Sequence, residues 1–101
     1  MVFVYTTCND ADEARRLGKL MIEKKIAACV DTWPIQSMYY WEGKLEDRPQ
    51  VMLMATTLEQ KLQGAQDLIA ENHRYSTPLI AGVDVRRINH DYKEWMVSQI
   101  V

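Results

Sequence analysis

Two helix-start signatures, each directly behind an apolar or β-branched stretch, constrain this chain more than any other feature. Asp10-Ala11-Asp12-Glu13 offers an Asp cap with a carboxylate three positions on, and it follows the strand-like run Val2–Thr7. Thr57-Leu58-Glu59-Gln60 repeats the pattern behind Val51–Thr56. Strand then helix, twice over, predicts two βαβ halves. After Asp10 the first helix places Ala14, Leu17, Gly18, Met21 and Ile22 on one face, with Asp12, Glu13, Arg16, Lys19 and Glu23 mostly on the other. It is expected to end near Lys24-Lys25, where positive charge suits the negative end of the helix dipole.

The middle of the chain reads as a hairpin. Ile26–Trp33 and Ile35–Trp41 are extended around Pro34, and Glu42-Gly43 supplies a tight turn into Lys44–Thr56. Proline cannot donate to a ladder, so the strand holding Pro34 is expected at an edge or with a bulge, and Asp47-Arg48-Pro49 to break the return strand. The second helix runs through Leu58, Leu62, Ala65 and Ile69 and gives out near Asn72-His73. A fourth strand is expected over Pro78–Val85, and Asn89-His90-Asp91 opens a last helix carrying Tyr92, Trp95, Met96 and Ile100.

The order β-α-β-β-α-β plus a terminal helix predicts an α+β, ferredoxin-like domain: an antiparallel sheet with both main helices on one face. All 101 residues form this single domain, with no repeat or Pro/Gly-rich linker to divide them. The second and fourth strands become edges, and the far face is left bare. Tyr39, Tyr40, Trp41, Met52 and Met54 load the hairpin with apolar surface, which predicts an obligate oligomer.

A net charge of −2 with both signs dispersed argues against a nucleic-acid partner. No stretch approaches a membrane span, and Met1–Tyr5 reads as a strand rather than a signal peptide. Cys8 and Cys29 are too few for a secreted disulfide framework, which predicts a cytoplasmic protein with free thiols.

Four stretches, Lys25-Ile26-Ala27-Ala28-Cys29, Tyr39-Tyr40-Trp41-Glu42-Gly43-Lys44, Thr56-Thr57 and Asp91-Tyr92 with Trp95, resemble the CutA divalent-cation tolerance family in order and spacing. His73-Arg74-Tyr75-Ser76-Thr77-Pro78 resembles an altered form of that family's His-Pro-Tyr-x-x-Pro-Glu segment. The resemblance implies a homotrimer whose long hairpins pair across subunits, a cleft between neighbouring chains, no catalysis, and association with tolerance and binding of copper or another divalent ion. The departures fall near the cleft: Arg74 replaces a proline, Leu79 a glutamate, and Ala55 the lysine before Thr-Thr.

From the resemblance, the cleft is expected to include Trp41, His73, Tyr75 and Thr77. The candidate metal ligands are His73, as a neutral imidazole, and Cys29, as a thiolate suited to soft ions. The ordinary readings are a helix-end cap for His73 and a buried strand thiol for Cys29. His90 has no partner at metal spacing, and Met38, Met52 and Met54 read as core or interface fillers.

Competing classes fare worse. Acylphosphatases share the fold but need a Gly-rich, Arg-bearing phosphate loop, and Thr6-Thr7-Cys8-Asn9-Asp10 has neither residue. An RNA-recognition module needs aromatics on its central strands in a basic setting. A small ligand in the subunit cleft, as in PII-like regulatory trimers, remains the alternative function.

Overall fold

The computed structural model describes residues 1–100. Strand β1 spans Val2–Cys8, helix α1 Ala11–Glu23, β2 Cys29–Trp41, β3 Lys44–Thr57, α2 Leu62–Asn72, β4 Ala81–Asp84 and α3 His90–Ile100. One turn of 3-10 helix, Glu59–Lys61, precedes α2. The strands form one antiparallel sheet in the order β2-β3-β1-β4, which places β2 and β4 at the edges as the sequence predicts.

Alternation along β1 sets the layers. Val2, Val4, Thr6 and Cys8 are buried on one face, and the core there joins Val2, Val4, Leu53 and Ala55 to Leu17, Met21, Leu68 and Ile69. Both main helices therefore cover the same face. On the other face α3 brings Tyr92 to Cys29 and Thr56, and Met96 and Ile100 are buried. The far face is thus partly covered, where the sequence predicted it bare.

Several local expectations are corrected. Ile22 is 43% exposed although the helical wheel placed it inward, whereas Glu13, assigned to the polar face, is fully buried. The second capping box does not form, because the Thr57 hydroxyl donates to the Ile26 carbonyl and Leu58 becomes the cap position. β2 runs unbroken through Pro34 and β3 through Pro49. Both prolines are tolerated for the same reason: β2 is an edge, and β1 reaches along β3 only to Val51, leaving Pro49 beside a free edge. β2 also starts later than expected, at Cys29, and β4 is confined to Ala81–Asp84.

The β2–β3 hairpin closes through Glu42 and Gly43, with φ of 50° and 79°. Left-handed geometry at both central residues matches the strand twist and favours glycine. Beyond Val51, among the described residues, no third strand supports the hairpin, so it projects as a two-stranded ribbon from a molecule 46 × 25 × 20 Å in extent. Tyr40 and Leu45 face each other across it, 75% and 62% exposed.

Candidate functional site

The densest group of chemistry-bearing side chains lies where β1 ends, α1 begins and α2 stops. Asp10 caps α1 by accepting the Glu13 amide at 2.8 Å, which, ahead of its contacts with Arg74, holds the Asp10 carboxyl below the usual carboxylate range. Glu13 then turns inward. Its Oε1 accepts the Asn9 amide at 2.9 Å, and its Oε2 accepts the Arg74 amide at 3.0 Å. The Arg74 guanidinium nitrogen Nε stands 3.7 Å from the same oxygen, and Arg16 at 4.0 Å. A buried carboxylate is tolerable only when satisfied in this way.

His73, the residue after α2, fits against Glu13 with Nε2 3.9 Å from Oε1. Its side chain is buried and both ring nitrogens are occupied. The Tyr75 amide donates to Nδ1 at 3.0 Å, which makes Nδ1 an acceptor, so Nε2 carries the proton and donates it to the Thr7 carbonyl at 2.8 Å. Cys8 completes the group: ligand atoms of Cys8, Glu13 and His73 all lie within 4.8 Å of one another. Burial first, then the Glu13 and Asp10 carboxylates, push the Cys8 thiol up to about 12.

That trio has the composition of a metal site but not its chemistry. A cation needs a thiolate and a free imidazole lone pair at close to 2.0–2.3 Å. Here both ring nitrogens are committed to backbone, and freeing His73 would strand the partly buried Thr7 carbonyl or the Tyr75 amide. As built, the cluster does not fit a metal ion.

The segment after His73 forms the mouth of this end of the sheet. Gln50 donates from Nε2 to the Tyr75 hydroxyl at 2.6 Å, and the Tyr75 ring sits 5.1 Å from that of His73. Burial, then nearby groups including Tyr39, raise the Tyr75 phenol, while Arg48 opposes the rise. Arg48 donates to the Asn9 side chain at 3.0 Å, and Arg74 to Asp10 at 3.2 Å. Of the four expected cleft residues, His73 and Tyr75 meet within one chain. Trp41 sits at the far tip of the ribbon, and Thr77 is exposed on the loop before β4.

Cys29 belongs to a different place. It lies on edge strand β2 opposite Thr56, its thiol donating to the Asp31 carboxylate at 3.7 Å, and it is absent from the cluster around His73. Burial, then Asp31, raise its pKa. Sequence reasoning missed Cys8, Glu13, Gln50 and Arg48; only Glu13 carried a signal, as the carboxylate of the first capping signature. A separate groove of 410 Å³ runs between α1 and β2, floored by Gly18, Ile22 and Val30 and rimmed by Arg15 and Lys19.

The CutA1 divalent ion tolerance protein model matches residues 2–99. The chain belongs to the CutA1 family. A divalent-cation tolerance protein CutA from Archaeoglobus fulgidus is 34% identical over 94 residues, covering 93% of this chain and 92% of its own length. Its counterpart from Thermococcus kodakarensis is 35% identical, over 94% of this chain and 91% of its own. In structure, CutA1 from Pyrococcus horikoshii superposes with a TM-score of 0.96 at 31% identity, covering 100% and 99% of the two chains. These likenesses establish the α+β ferredoxin-like fold and the CutA family resemblance read from the sequence. The solved Archaeoglobus fulgidus CutA is described as periplasmic. Among the described residues of this CutA chain, no helix is long and apolar enough to cross a membrane.

Proposed function

We propose that this chain works in divalent-cation tolerance as a homotrimer that binds rather than catalyses, with copper among the ions it handles. The observation that carries the reading is the unsupported ribbon. Two-stranded hairpins are at best marginal alone in water, and this one presents Met38, Tyr40, Trp41 and Leu45 to solvent. Pairing with neighbouring subunits gives that surface a partner and creates clefts beside each ribbon.

Copper contact falls to Cys29 more readily than to His73. Cys29 is only partly buried and has the Asp31 carboxylate beside it, whereas both His73 nitrogens are engaged. One thiolate and one carboxylate are too few for a closed site, so a neighbouring subunit would complete the coordination. The two free thiols suit a reducing, cytoplasmic setting.

A second reading, a small ligand held in the subunit cleft in PII-like fashion, draws on the polar cluster of Gln50, Tyr75, Arg48 and Arg74 beside the ribbon's base. Native mass spectrometry of the purified chain, before and after titration with copper and zinc, separates the two. Stepwise copper uptake by a trimer, lost in Cys29→Ser, supports the metal reading. A trimer that takes no metal but carries a co-purified mass supports the ligand reading.

A further inference from the structure

We propose that His73 is a positioning residue, held as its Nε2–H tautomer between β1 and the Arg74–Pro78 segment, and that the Cys8–Glu13–His73 cluster excludes divalent cations. The inference rests on the reading that binding occurs beside the Arg74–Pro78 segment, and it states what shapes that border.

The backbone directions fix the tautomer. The Tyr75 amide can only donate and the Thr7 carbonyl can only accept, so the ring must offer a lone pair at Nδ1 and a hydrogen at Nε2. The two bonds tie the end of β1 to the segment that carries Tyr75. Glu13 fastens the same segment a second time through the Arg74 amide, while its Oε1 faces the protonated Nε2 at 3.9 Å. Tyr75, set in this way, presents its hydroxyl to Gln50 on β3.

A cation bound by His73 would have to take a ring nitrogen from its backbone partner, the Tyr75 amide or the Thr7 carbonyl. Either loss leaves a partly buried backbone group unpaired. Both ring nitrogens are already used in holding backbone, and a metal has no imidazole lone pair left to occupy. Glu13, Cys8, Asp10, Arg16, Arg74 and Tyr75 are the charged or titratable groups near the ring among the described residues.

The test uses the full-length chain labelled with 15N-histidine, and long-range proton–nitrogen spectra taken above neutral pH. His73 is expected to show a protonated Nε2 and an acceptor Nδ1, both unmoved by one equivalent of zinc ion per chain. His90, exposed and paired with Glu94 at 3.0 Å, serves as the internal comparison. A His73 proton on Nδ1, or zinc-induced shifts at its ring nitrogens, would overturn the proposal.

Amide exchange gives the second readout. His73→Leu removes both bonds, and exchange at the Tyr75 amide is expected to quicken about tenfold. His73→Gln, whose amide can donate and accept, is expected to restore most of that protection, while β1–β3 ladder amides stay unchanged in both. Unchanged exchange at Tyr75 in His73→Leu, or equal loss in both variants, would contradict a positioning role. Neither readout requires a ligand or a trimer, so failure of the binding reading would leave the ring signature intact and separately visible.

Discussion

The carboxylate of Glu13 accepts the backbone amide of Arg74 at 3.0 Å, across 61 residues of chain. One buried side chain near the start of α1 thus holds the segment that follows α2, and the site is built on that tie. Replacing Glu13 with Ala leaves the Asn9 and Arg74 amides without partners in a partly buried setting. We expect a loss of about 3 kcal/mol, and about 1–2 kcal/mol for Glu13→Gln, which keeps one acceptor oxygen. Urea unfolding followed by tryptophan fluorescence reads both values. A cost below about 0.5 kcal/mol for the alanine variant would show that the tie is dispensable.

Cys8 makes stability depend on alkaline pH. Its folded-state thiol is raised to about 12, above the ordinary thiol value, so the folded state keeps a proton that the unfolded chain gives up first. Stability is therefore fully present below the ordinary thiol range, about 8.5, and falls as pH rises from there towards about 12. Cys8→Ala should flatten that part of the profile in thermal melts. In the native protein, thiol labelling is expected at Cys29 and not at Cys8, and equal rates at the two would disprove the burial argument.

The reach of sequence reasoning is clearest at these same residues. The Asp10–Glu13 signature located α1, because a cap and its amide partner are local. Glu13's destination was not local. A helical wheel sends a carboxylate to solvent, and only a segment far along the chain supplies the amide that makes burial affordable. Thr57 failed in the opposite direction: its cap signature was sound, yet the Ile26 carbonyl, brought close by folding, claimed the hydroxyl. Strand order and edges were legible from alternation and the two strand–helix junctions. Cys8 was not, since a lone thiol at a strand end gives no hint of what packs over it.

Packing between α1 and β2 can be tested at Gly18. A Cβ there would stand 3.0 Å from the Val30 Cγ1, close enough that the branched side chain must shift. The helix-propensity gain of replacing glycine, up to about 1 kcal/mol, works against a crowding cost of about 1–3 kcal/mol. Gly18→Ala is expected to destabilise by about 1 kcal/mol, and combining it with Val30→Ala should remove the crowding part. Additive costs in the double variant, measured by denaturant midpoints, would mean the two positions do not press on each other.

The ribbon's tip offers a milder change. Trp41→Ala removes a large exposed aromatic from the hairpin end, and we expect weaker association together with greater binding of a hydrophobic dye. An unchanged subunit affinity would remove Trp41 from the interface.

Sedimentation velocity on the unmodified chain and on a Tyr40→Lys/Leu45→Lys double variant tests the central claim, that the unsupported ribbon exists to be paired between subunits. The two residues face each other on the ribbon and lie outside the core, so the fold itself should tolerate the change. The account predicts a single trimeric boundary for the unmodified chain and a shift to monomer for the variant, with its far-ultraviolet circular dichroism kept. A monomeric unmodified chain, or a variant that stays fully trimeric, would contradict it.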